Sequence, residues 1–181
     1  MLAWRGLEAA GYGPAAQPET AARVFFWPDK HGTAGRQLGA ALRERKPALE
    51  TVAGLEGQSA GLQSLAALEQ LLYPDGAADD PEADRFACRY ALAIVGFQAR
   101  LAAEMAASFA SQPQDSTATA EGLFTGMRTA LDTLIALDLE RPLGADIATA
   151  RGERARAWRS GLSLPLIGAA LETVERVYTA P

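Results

Sequence analysis

Residues 82–110 read EADRFACRYALAIVGFQARLAAEMAASFA, and whether that stretch is one helix decides the fold. At about 100° per residue, Phe86, Tyr90, Ile94, Phe97, Leu101, Met105 and Phe109 line one side. Cys88, Ala91, Leu92, Val95, Ala99, Ala102 and Ala106 line the other. A helix that is apolar on both sides belongs in the middle of a bundle. That placement predicts an inert core thiol at Cys88 and an inward-leaning carboxylate at Glu104, three residues after Leu101.

Outward from this helix, the sequence stays helical in pattern. YPDGAADDP at 73–81 and SQPQDST at 111–117 are loops, and RPLGAD at 141–146 is a further break. Helical pattern covers 2–10, 34–45, 48–72 and 118–139, with a break expected near Gly57–Ser59. A short helix is expected around 151–158. After it, Ser163 reads as an N-cap and Pro165 as a first-turn residue of the last helix. Only VFF at 24–26 looks β-like, too little for a sheet. The predicted fold class is all-α, an up-and-down helical bundle in a single domain over residues 1–181.

Composition narrows the function. The chain carries a net charge of -5, and its one dense basic stretch is RGERARAWR at 151–159, which reads as a solvated helical face. Nucleic acid is therefore not an expected partner. The single cysteine cannot close an intramolecular disulfide. No uninterrupted apolar run reaches the roughly 18 residues of a transmembrane segment, and MLAWRGLEAAGYG has neither the charged leader nor the apolar core of a signal peptide.

In SLAALEQLLY at 64–73, Glu69 falls on the arc shared by Leu62, Leu65, Leu68 and Leu72. A glutamate packed there has a cationic or hydrogen-bonding partner, stays neutral, or lines a wet cleft. His31, the single histidine, sits in the turn DKHG. One histidine cannot supply the two-histidine zinc helix of an HExxH protease. In FFWPDK, Trp27 and Pro28 precede a carboxylate, Asp29, placed to cap the next helix, with Lys30 beside it. WRSGLS offers Arg159 as an anion partner, with Ser160 and Ser163 around a glycine.

Taken together, FFWPDK at 25–30, LQSLAALEQLLY at 62–73, Cys88 in the long helix and AWRSGLSLPLI at 157–167 resemble the imelysin family. These are exported helical proteins often described as peptidases and associated with iron acquisition. The family motif Gly-x-His-x-x-Glu would fall on Ser64–Glu69, where Ser64 replaces the glycine, Ala66 stands in place of the histidine, and Glu69 remains. Relative to the family the chain looks short at both ends.

The resemblance implies a polar cleft formed by Asp29, Lys30, Gln63, Glu69, Arg159, Ser160 and Ser163, with Glu69 the one metal ligand retained. It further implies a non-catalytic ligand-binding protein of the periplasm or cell envelope, linked to iron or another divalent metal. Its partners would be a small ligand or metal ion, and an envelope protein. The alternatives are a metallopeptidase and a structural helical bundle that docks a protein.

Overall fold

Asp80 starts the long helix. Its Oδ1 accepts from the backbone N–H groups of Glu82 and Ala83, at 2.9 and 3.2 Å. Those bonds, with Arg45 alongside, hold its carboxyl below the usual range. The computed structural model describes residues 1–9, 13–76, 80–111 and 116–179. The expected loop at 73–81 and linker at 111–117 thus lie partly outside the described residues, as does the end of the first stub. The described elements are helical and include no strand. They comprise α1 Leu2–Ala9, α2 Pro18–Val24, α3 Thr33–Glu44, α4 Val52–Glu56, α5 Ala60–Gln63, α6 Leu65–Leu72, α7 Pro81–Ala110, α8 Ser116–Thr133, α9 Arg141–Leu143 and α10 Ser163–Thr179. A π-helical segment, Leu134–Glu140, continues directly from α8. Contacts divide the chain into two compact units, Ala22–Ala106 and Met1–Ala21 with Ala107–Pro181.

In the Ala22–Ala106 unit, the aromatic side of α7 forms the core: Phe86, Tyr90, Ile94, Phe97, Leu101 and Met105 are all buried. The opposite side is a correction to the expectation of a helix buried all round. Leu92 is 66% exposed and Val95 51%, and the Cys88 thiol is exposed too. Glu104 also faces solvent and pairs with Arg100 one turn back. The reason is that alanine and glycine fill much of that side, so leaving it in water forfeits little apolar burial. α7 is also long and apolar enough to cross a membrane by length and composition.

The stretch from 48 to 72, expected to be helical with one break, is broken three times. The break near Gly57–Ser59 is there, and Thr51 and Ser64 add two more. Both adopt extended backbone, and each hydroxyl accepts from an N–H of the helix it opens, Thr51 from Gly54 and Ser64 from Ala67. Side-chain capping competes with helix continuation at such residues. Because Ser64 resets the helix, Leu62 and Leu72 do not share a face: Leu62 is buried on α5, and Leu72 is exposed at the end of α6. At Gly61 a Cβ would lie 2.6 Å from Ala34 Cβ, so glycine sets how closely α5 approaches α3.

In the other unit, α1 packs on α10 and α8, and α10 also meets the π segment. Leu134 and Ala170 form its apolar centre, flanked by Ala130, Leu139, Ile167 and Val174. Residues expected as a helix at 151–158 form instead a short 3₁₀ turn, Gly152–Arg154, and then tight turns in which Ala157 takes a left-handed φ of 54°. Ser163 is the first residue of α10 rather than its cap, and its hydroxyl donates to the Arg156 carbonyl.

Candidate functional site

Asp29 is a helix-capping carboxylate. Oδ1 accepts from the N–H of Thr33 at 2.8 Å, and Oδ2 from those of Ala34 and Gly35 at 2.9 and 3.2 Å, so three otherwise orphaned donors of α3 are satisfied by one side chain. Lys30 and His31 lie exposed in the same turn. Gln63 is buried, and its amide is fully engaged. Nε2 donates to the carbonyls of Leu55, Glu56 and Gln58 around the C-terminal end of α4, and Oε1 accepts from Arg23 Nε at 3.1 Å. Its own carbonyl accepts from Gln98 Nε2 at 2.8 Å. Arg23 in turn stacks over Phe97, 5.0 Å from the ring centroid.

Glu69 is 5% exposed, on the buried side of α6 with Leu65 and Ala67. Of the motif positions before it, Ser64 donates its hydroxyl to the Gly61 carbonyl at 3.1 Å, and Ala66 carries no donor atom. A catalytic zinc uses three protein ligands. Among the described residues no three His, Cys, Asp or Glu side chains lie close enough to share a metal ion. The described residues therefore do not fit a protein-held catalytic metal.

Arg159, Ser160 and Ser163 fall in the other unit, on one turn. The Ser160 hydroxyl donates to the Ala157 carbonyl, and Arg159 stacks on Trp158 at 4.6 Å. The seven residues expected to share a cleft are thus divided, four in the Ala22–Ala106 unit and three in the other.

The densest charge chemistry is elsewhere, in a lattice that the sequence alone does not reveal. Arg5 on α1 is 3% exposed and donates to Asp138 at 2.6 Å and to Glu8 at 2.9 Å. Arg156 is buried as well, 2.7 Å from Glu8 and 3.3 Å from Asp138. This corrects the reading of RGERARAWR as a solvated face, which holds for Arg151 and Arg154 and fails for Arg156. Burial pushes the Asp138 carboxyl above its usual range, against the opposing pull of Arg156 and Arg5. Asp138 lies in the π-helical segment, a geometry that often accompanies function.

Beside this lattice a cavity of about 500 Å³ is lined by Arg5, Glu8 and Ala21 and by one face of α8. Glu121, Thr125, Thr129 and Thr133 recur every fourth residue there and form a polar row; Gly122, Gly126 and Ala130 form a row of small residues beside it. Both rows line the cavity. Its sequence signals are the i, i+3 pair Arg5–Glu8, the lone aspartate in LIALDLE, and the spacing of threonines along α8.

The peptidase-family model described as Imelysin matches residues 1–181. Among solved structures, an imelysin-like protein from Psychrobacter arcticum 273-4 is similar at a TM-score of 0.67 and 20% identity. The match covers 99% of this chain and 57% of that one, so the chain spans little more than half the length of that protein. No curated protein matches the chain.

Proposed function

The chain belongs to the imelysin family, and on that premise we propose that it is a non-catalytic ligand-binding protein of the cell envelope, working in iron or other metal acquisition. The observation that carries the ligand-binding reading is the cavity of about 500 Å³ on α8, within the roughly 300–1,000 Å³ range of small-molecule sites and walled by both ionic and hydroxyl groups. The envelope and metal association are supported by the family resemblance of FFWPDK, LQSLAALEQLLY and AWRSGLSLPLI. Against catalysis stands the chemistry of the Glu69 segment, where one carboxylate is left beside Ala66 and a hydroxyl already engaged with backbone. A protein-docking role has one observation in its favour, the exposed Leu92 and Val95 on α7.

The test is cleavage of fluorescently labelled casein by wild type and Glu69→Gln, with and without a metal chelator. The expected result is no cleavage above background in any arm. Cleavage by wild type that both chelator and Glu69→Gln abolish would establish the metallopeptidase reading instead.

A further inference from the structure

We propose that the cavity on α8 binds a small organic ammonium compound, about the size of a short aliphatic diamine. The inference rests on the ligand-binding reading above and names the chemistry of that ligand.

Charge decides the sign of the ligand. Among the described residues Arg5 is the only cation lining the cavity, and it is already turned to Asp138 and Glu8, while Glu8 and Glu121 line the same space. Counting the lattice behind the wall, the carboxylates Glu8, Asp138 and Glu121 face the guanidiniums of Arg5 and Arg156. The cavity is therefore left with an excess of negative charge.

Hydrogen bonding points the same way. Glu8 uses Oε2 for both arginines, at 2.9 and 2.7 Å, and its Oε1 has no protein donor among the described residues. The Thr129 hydroxyl donates to the Thr125 carbonyl, which leaves its oxygen as an acceptor. A ligand with several N–H donors, such as an ammonium, meets these acceptors; a carboxylate would not. Among the described residues the buried Nε of Arg5 has no hydrogen-bond partner; it is a donor, which an ammonium does not satisfy. Arg5, ion-paired with both Asp138 and Glu8, acts as a positioning residue that holds Glu8 in the wall.

The space has room for more than a bare ion. The volume is many times the roughly 30 Å³ share of one water molecule, and Ala21, Gly122, Gly126 and Ala130 offer a surface suited to methylene groups.

The experiment is calorimetric titration of the whole chain with 1,4-diaminobutane, and in parallel with 1,4-butanediol and succinate, which have the same carbon count and no positive charge. We expect saturable binding of the diamine alone, weakening as salt is raised. Glu121→Gln should weaken it roughly fivefold. Gly126→Leu and Thr129→Leu, which add bulk to the α8 lining, should each abolish it; the second variant, on the exposed row, guards against misfolding of the first. Failure of the diamine to bind, or binding that survives both leucine variants, would overturn the inference. Binding of succinate or the diol that the leucine variants abolish would overturn the ammonium assignment while leaving the ligand-binding reading intact. Chelator-sensitive casein cleavage, by contrast, would sink that reading whatever the diamine does.

Discussion

Arg5→Ala should destabilise its unit by about 3–5 kcal/mol, the range for removing one partner from a buried ion pair. The loss comes less from the bonds themselves than from what remains. Among the described residues, Asp138, already raised by burial, would keep Arg156 at 3.3 Å, and Glu8 would keep Arg156. The double variant Arg5→Met with Asp138→Leu removes both charges and most of the desolvation cost together, so it should recover most of the loss. Because the chain has two compact units, a single unfolding transition is not assumed. Trp4 and Trp158 lie in the unit that holds the lattice and Trp27 in the other, so urea unfolding in a Trp27→Phe background reads the relevant unit by fluorescence. Equal stability of Arg5→Ala and wild type would mean that the lattice is not formed in solution.

Gln63→Leu is the second large effect. The side chains are close in volume, so packing changes little while the hydrogen bonds vanish. The carbonyls of Leu55, Glu56 and Gln58 lose their shared donor, and Arg23 Nε loses its acceptor. A buried polar group left without a partner costs about 1–3 kcal/mol. Some of these carbonyls can reach water, so a total near the upper end of that range is expected, read by urea denaturation in a Trp4→Phe, Trp158→Phe background that leaves Trp27 as the reporter. A variant with wild-type stability would return Gln63 to the role of a ligand-facing residue. The stability loss instead identifies it as scaffold holding α4 to the segment that carries Glu69.

The contrast between these two residues shows how far the sequence can be read. Gln63 stands out because it sits near Glu69 in a motif, but its partners are α4-end carbonyls five to eight residues earlier, a contact that depends on the chain breaking at Gly57–Ser59 and again at Ser64. Helical periodicity finds the aromatic side of α7 because Phe86 to Met105 must be buried together. It misjudges the other side, where Leu92 and Val95 are spaced like core residues and are nevertheless left in water. Glu69 is legible only in part: it is buried, but the leucine arc expected around it does not hold, because Ser64 resets the helix and Leu72 is exposed. Asp29 is legible too, through the local rule that an aspartate at a turn caps the next helix.

Arg5, Glu8, Asp138 and Arg156 are not legible. Bonded partners among them lie as much as 148 residues apart, and each looks like an ordinary surface charge in its own window. Only packing of α1 against α8 and α10 brings them together. The cavity is hidden for the same reason: a Gly122, Gly126, Ala130 row reads as weak helix until a second helix is laid across it.

Calorimetric titration of metal-free wild type with Fe(II), Fe(III), Zn(II) and Cu(II), beside Glu69→Gln, tests most directly whether this chain binds without a coordinating centre. No metal is expected to give a binding heat that depends on Glu69, because Ala66 supplies no donor and the Ser64 hydroxyl is held by backbone. Stoichiometric binding of any of these ions by wild type, lost in Glu69→Gln, would contradict it and make Glu69 a metal ligand.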